Sequence, residues 1–192
     1  MVQLEGSGRH CHVTRETLDT LFGKGFELEN KKDLSQPGQF ATPQRVTVVG
    51  PRKSIELMII GPCRPGDQIE LSLSDAVALG FVPPPPIRDS GDLAGSPGCK
   101  LIGPKGEVDT KEGVIIAKRH LHMTLEDGKK YGILDGQIVK VKIGGERALV
   151  FDEVLARVKS NAATYVHVDY DEFNAAAISY ENCTGEVLKS VL

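Results

Sequence analysis

Gly113-Val114-Ile115-Ile116-Ala117-Lys118-Arg119-His120-Leu121-His122-Met123-Thr124 begins as a β-branched run and ends in two histidines separated by one residue. β-Branched residues in series favour extended backbone. On a strand, residues i and i+2 project to the same face, so His120 and His122 can converge on one point. On a helix the same spacing would send them about 200° apart. The first half of the chain repeats the pattern in Arg9-His10-Cys11-His12-Val13-Thr14, so Arg-His-x-His-apolar-Thr occurs twice. Five histidines scattered at random over 192 residues would form about 0.1 such pairs. Two pairs point to a duplicated β unit in which each copy offers imidazoles to a metal of the zinc type.

The surrounding sequence agrees with a mainly β fold. Glycine and proline make up about 17% of the chain, above the usual ~12%, as expected for many turns between short elements. Strand-like runs occur at 46–49, 54–60, 68–73, 100–102, 113–123, 137–143, 148–158 and 163–169, with tight turns at Asp135-Gly136 and Gly144-Gly145. Gln68 to Leu73 alternates strictly, with Gln68, Glu70 and Ser72 on one face and Ile69, Leu71 and Leu73 on the other. Short helices are expected from a cap at Ser74 or Asp75 to Leu79, from Thr124 to Tyr131 and from Asp171 to Ser179. Pro83-Pro84-Pro85-Pro86, followed by Ser90-Gly91-Asp92 and Gly95-Ser96-Pro97-Gly98, gives a Pro/Gly-rich connector over 83–98.

Charge and composition exclude several classes. A net charge of −3, 5% aromatic residues and no tryptophan speak against a nucleic-acid partner. No apolar run approaches the ~20 residues needed to span a bilayer, and the first residues do not resemble a secretory signal. Cys11, Cys63, Cys99 and Cys183 are widely spaced, as suits reduced thiols in a cytoplasmic protein.

A catalytic zinc typically takes three protein ligands, so each histidine pair needs another donor. His167, on the strand-like stretch Tyr165-Val166-His167-Val168-Asp169, is one candidate, and Glu70 on the polar face of its strand is another. Arg64, in Gly61-Pro62-Cys63-Arg64-Pro65-Gly66, can clamp an oxyanion such as phosphate beside a metal. Two other classes use the same features. A cupin-like isomerase or oxygenase also takes metal ligands from His-x-His on a strand, and a non-catalytic scaffold would leave the paired imidazoles without a task.

Arg9-His10-x-His12, Lys32-Asp33-Leu34-Ser35-Gln36-Pro37-Gly38-Gln39-Phe40, Gly61-Pro62-x-Arg64, Ser74-Asp75-Ala76, Arg119-His120-x-His122-Met123 and Asp171-Glu172-x-Asn174-Ala175 together resemble the phosphate propanoyltransferase family, the zinc phosphotransacylases of bacterial microcompartments. The resemblance runs from about Ser7 to Ala177. It implies two short-strand β-barrel domains capped by short helices, internally duplicated and partly interleaved. One barrel would be built over 10–90, and the other from 1–9 plus 99–192. The implied reaction moves a short acyl group between coenzyme A and inorganic phosphate with two zinc ions. By the same resemblance, His10, His12 and Glu70 hold one zinc and His120, His122 and His167 the other. Arg64 binds phosphate, and Ser7, Lys32 and Asn174 fall where coenzyme A contacts are expected. A homodimer, located in the cytoplasm or in a microcompartment, completes the expectation. The chain departs from the family pattern at Met58, where many relatives carry arginine, and over Pro65-Gly66-Asp67; neither departure touches an implied zinc ligand.

Overall fold

The computed structural model of the chain describes residues 1–179 and 183–188. In chain order its elements are β1 (Val2–Ser7), β2 (His10–His12), α1 (Arg15–Phe22), β3 (Lys32–Asp33), β4 (Phe40–Val49), β5 (Ser54–Gly61), β6 (Gln68–Leu71) and α2 (Leu73–Leu79). There follow β7 (Ile87–Arg88), β8 (Lys100–Ile102), β9 (Glu107–Asp109), β10 (Val114–Ala117), β11 (His120–Met123), α3 (Leu125–Tyr131), β12 (Ile138–Ile143), β13 (Leu149–Val158), β14 (Tyr165–Asp169), α4 (Tyr170–Ala175) and β15 (Thr184–Leu188). Among the described residues, no helix is long and apolar enough to cross a membrane. The protein is mainly β, and the chain divides into two units.

The barrel unit comprises Met1–Ser7, Ser35–Pro37 and the chain from Lys118 onward. Its six strands close in the order β1-β14-β11-β13-β12-β15. Period-2 alternation explains the closure: Val2 and Leu4 of β1, Val139, Val141 and Ile143 of β12, and Val166 and Val168 of β14 all point into one core. The short stretch 35–37 is fastened by the buried Gln36 amide. Its Nε2 donates to the Ala163 carbonyl at 3.1 Å, and its Oε1 accepts from the Ala163 amide at 3.3 Å.

The sheet unit comprises Gly8–Leu34 and Gly38–Ala117. Its nine strands run β7-β10-β6-β2-β5-β4-β8-β9, with β3 paired to β4, and form a half-barrel. Cys11, Val13, Leu18, Leu57, Ile59 and Leu101 fill its core. Pro43 lies inside β4, where a ladder position would be lost; the register shift between Ala41 and Arg45 accommodates it.

The strand expected over 113–123 is two strands that part at Lys118-Arg119. β10 pairs with β6 and β7 in the sheet unit, whereas β11 pairs with β13 and β14 in the barrel. As the family resemblance implies, β1 joins the C-terminal half by pairing with β14 and β15. β10 makes the converse exchange. Residues 99–117 therefore lie in the sheet unit and not in the barrel, since β8 pairs with β4 and β10 with β6. The stretch 83–98 is likewise internal to the sheet unit, where β7 pairs with β10. It is not a connector between units.

Helix ends differ by a few residues from expectation. α2 is capped by Ser72, which accepts from the Asp75 amide, and not by Ser74 or Asp75. β6 thus stops at Leu71, and Leu73 begins the helix on an exposed face instead of continuing the apolar strand face. α4 starts at Tyr170 behind a capping box of Asp169 and Glu172, and ends at Ala175. α1 was not anticipated, although Thr14 caps it and Leu18 and Leu21 share its buried face.

Candidate metal centre and active site

β2 lies between β5, to which it is parallel, and β6, to which it is antiparallel. Alternation sends Cys11 into the core and turns His10 and His12 to the opposite face. Register places Glu70 directly across from His10, and Gln68 across from His12. Glu70 Oε1 lies 3.6 Å from His10 Nε2 and 4.0 Å from His12 Nε2. All three side chains are buried, and their ligand atoms lie within 4.8 Å of one another. Among the described residues, no other trio of histidine, cysteine or acidic donors converges so closely.

The proton positions suit a metal. His10 Nδ1 is 2.7 Å from the Gly8 carbonyl and His12 Nδ1 is 3.1 Å from the Ile60 carbonyl. A carbonyl only accepts, so each Nδ1 carries a proton, and Nε2, which faces Glu70, is the ring nitrogen left to meet a metal. Backbone anchoring of the distal nitrogen is the usual way a ligating imidazole is oriented. Two ligands on a tetrahedral zinc at 2.0–2.1 Å stand about 3.3–3.4 Å apart, just below the 3.6 Å between Glu70 and His10 and further below the 4.0 Å between Glu70 and His12. His10, His12 and Glu70 therefore fit a divalent ion of the zinc class.

Electrostatics around the trio follow from burial. Burial pushes the His12 imidazole down to about 3, aided by the charges of His10 and Arg64 and opposed by Glu70 and the Ile60 carbonyl. It is neutral near pH 7, the form that ligates metal. Burial acts most strongly on His10 too, but the Glu70 carboxylate and the Gly8 carbonyl outweigh it and move His10 upward. Burial lowers the Arg64 pKa while Glu70 raises it, and an arginine remains cationic.

A polar chain links this trio to Arg64. Arg64 Nη1 donates to Ser90 Oγ at 3.0 Å, and Ser90 Oγ lies 3.4 Å from Glu70 Oε1. Gln68 Nε2 donates to both Glu70 Oε1 and Ser90 Oγ, while its own Oε1 accepts from the Gly91 amide at 2.8 Å. Sequence reasoning assigned no role to Gln68 or Ser90. Gln68 was legible as the i−2 neighbour of Glu70 on the same face; Ser90 had no local signal, because only the fold brings it beside Glu70.

In the barrel unit, β11 presents His120 and His122, and register places His167 of β14 across from His120. The three rings cluster, with centroids 4.8 Å apart for His120–His122, 5.1 Å for His120–His167 and 5.2 Å for His122–His167. His120 Nδ1 is 2.8 Å from the Lys118 carbonyl. Burial, followed by the His120 charge, pushes His122 down to about 4. These donor atoms do not approach one another as closely as those of His10, His12 and Glu70. The remaining expected residues are more dispersed. Ser7, half-buried at the end of β1, lies in register with Asp169, and Asn174 is exposed on α4. Lys32 belongs to the sheet unit, exposed on β3.

The sheet and its donor set define a mainly β protein able to hold a divalent cation beside a half-buried arginine, one hydroxyl away. The chain also resembles known proteins along nearly its whole length. A family model described as phosphate propanoyltransferase matches residues 3–179. A phosphate propanoyltransferase of Listeria monocytogenes serovar 1/2a (strain ATCC BAA-679 / EGD-e) is 47% identical over 189 residues, which is 98% of this chain and 87% of the relative. One from Thermotoga maritima (strain ATCC 43589 / DSM 3109 / JCM 10099 / NBRC 100826 / MSB8) is 51% identical over 175 residues, covering 90% and 82%. The protein from Clostridioides difficile (strain 630) is 47% identical over 179 residues, covering 93% and 85%. The chain belongs to the phosphate propanoyltransferase family and is an acyltransferase of the phosphotransacylase type.

Proposed function

We propose that the protein catalyses acyl-CoA + phosphate = acyl phosphate + coenzyme A, with one zinc ion held by His10, His12 and Glu70 and a second by His120, His122 and His167. The observation that carries this reading is the convergence of two imidazole nitrogens and one carboxylate within 4.8 Å, tied to Arg64 through Ser90. In the forward direction a phosphate oxygen attacks the thioester carbonyl carbon, the C–S bond breaks, and the sulfur leaves as the coenzyme A thiolate. A bound zinc supplies Lewis acidity toward the thioester carbonyl and a strong preference for thiolate, which improves the leaving group near neutral pH.

The chain's own side chains perform the rest. Arg64 holds phosphate through its planar fork, pre-oriented because Nη1 is already fixed on Ser90. Gln68 and Ser90 donate toward Glu70 and limit the geometries that the carboxylate can take. Ser7, Lys32 and Asn174 are proposed coenzyme A contacts on the family pattern. A homodimer and microcompartment association rest on that pattern as well.

The test is release of free thiol from propanoyl- or acetyl-coenzyme A. Strict dependence on inorganic phosphate supports the reaction, and equal release without phosphate contradicts it. The family match favours this reading over a cupin-like isomerase or oxygenase and over a non-catalytic scaffold.

A further inference from the structure

Arg9, Asp75, Arg119 and Glu172 stand in the motifs of the two halves, yet the proposed reaction uses none of them. They form the same contact twice. In the sheet unit Arg9, just before β2, places Nη1 2.5 Å from Asp75 Oδ1. In the barrel unit Arg119, just before β11, places Nε 2.6 Å from Glu172 Oε1. The two acids occupy equivalent positions. Each lies five residues after the side chain that faces the first histidine, Glu70 or His167. Each is the third residue of its helix, and its amide donates to the helix cap, Ser72 for α2 and Asp169 for α4.

The corner closed by this contact adjoins the donors. β6 runs antiparallel to β2 with Glu70 across from His10, and then turns into α2. The Arg9–Asp75 pair spans that turn and so fixes the end of β6 against the start of β2. β11, β14 and α4 repeat the arrangement, with Arg119 gripped further by the Asp152 carbonyl at 2.8 Å and by the Phe151 ring, 5.4 Å from its centre. Stability does not account for the recurrence at Arg9, whose side chain is 49% exposed, because an ion pair at such a surface adds little. Cys11 corresponds to Leu121 and Glu70 to His167, so the halves have diverged even at the facing donor, while the arginine and the acid are kept.

We infer that Arg9 and Asp75 are positioning residues for His10, His12 and Glu70: the pair ties the His-x-His strand to the strand-to-helix turn behind Glu70 and holds histidine and carboxylate at the spacing a metal needs. Arg119 and Glu172 hold the corresponding turn behind His167. This rests on the proposed reading of His10, His12 and Glu70 as a metal site. The sign of the effect separates positioning from a simple field. As charges alone, the Arg9 cation repels a bound cation and the Asp75 carboxylate attracts it, so their removals would act in opposite directions and add. As a clasp, loss of either partner does the same harm, and loss of both does no more.

The experiment is a zinc titration of metal-free, full-length protein against a chromophoric chelator. It compares wild type, Arg9→Gln, Asp75→Asn, the double variant, Arg9→Lys, Glu172→Gln and Glu70→Ala. Arg9→Gln and Asp75→Asn are each expected to weaken one ion by about tenfold, the lower end of what loss of an outer partner of a metal ligand costs. The double variant should weaken it no further, and Arg9→Lys, which keeps a donor for Asp75, should recover most of the affinity. Glu172→Gln should leave that ion at wild-type strength. The melting temperature of each metal-free form should stay near that of wild type. Tighter binding in Arg9→Gln, additive effects, or no change in either single variant would overturn the clasp and leave the metal site standing. Equal zinc binding by wild type and Glu70→Ala would overturn the metal reading itself, and the clasp with it.

Discussion

β2 and β11 are built alike in detail. The His10–His12 rings are 5.1 Å apart at 88° and the His120–His122 rings 4.8 Å apart at 87°. In each strand the first histidine is anchored by a carbonyl two residues earlier, Gly8 or Lys118. A threonine then caps the next helix, Thr14 for α1 and Thr124 for α3. Each strand also lies between one parallel and one antiparallel neighbour. The difference lies in what those neighbours carry. The antiparallel strand brings Glu70 in the sheet unit and His167 in the barrel. One strand further on, the sheet unit has Ile115 and the barrel has Glu5. A duplicated backbone fixes where donors stand, and substitution on adjacent strands decides which donors they are.

Four substitutions sharpen this contrast. The largest effect is expected from Arg64→Ala, which removes the cation tied to the sheet unit's trio. Loss of one donor to a developing oxyanion costs about 3–4 kcal/mol, so turnover should fall by roughly a hundred- to a thousandfold. Circular dichroism should show an intact fold, and unchanged turnover at both saturating and limiting phosphate would refute the role. Gln68→Ala should be milder. It removes two donated bonds around Glu70, and losses of this kind lower metal affinity by about 10–100-fold. The weakening should be confined to the ion held by His10, His12 and Glu70; equal weakening of both ions would show that the two sets are not independent. The smallest effects are expected from Thr14→Ala and Thr124→Ala, about 1 kcal/mol each, measured by denaturant unfolding. Similar costs would mark the helix starts as equivalent parts of the repeat.

The features legible in the sequence were those that local periodicity encodes. His-x-His on an extended segment states its own geometry, and Glu70 was visible on the polar face of an alternating run. The break at Lys118-Arg119 was not visible, because β10 and β11 are each strand-like and only their distant partners assign them to different units. Ser72 and Ser74 are equally able to cap a helix, and the choice fell to Ser72 because the ladder of β6 ends at Leu71. Ser90 was hidden for the same reason as the strand exchange. It meets Glu70 across the intervening α2 and β7. Helix α1 did leave a trace, in Thr14 followed by Leu18 and Leu21 and then Gly23, but Thr14 had been absorbed into the strand motif.

The most direct measurement is phosphate-dependent thiol release by metal-free protein as zinc is restored in steps, with wild type and Glu70→Ala run side by side. The account predicts that wild-type activity rises with occupancy of the His10, His12 and Glu70 set, while Glu70→Ala stays at background although the barrel histidines still take up an ion. Full activity before any zinc is added, or recovery in Glu70→Ala equal to wild type, would contradict it.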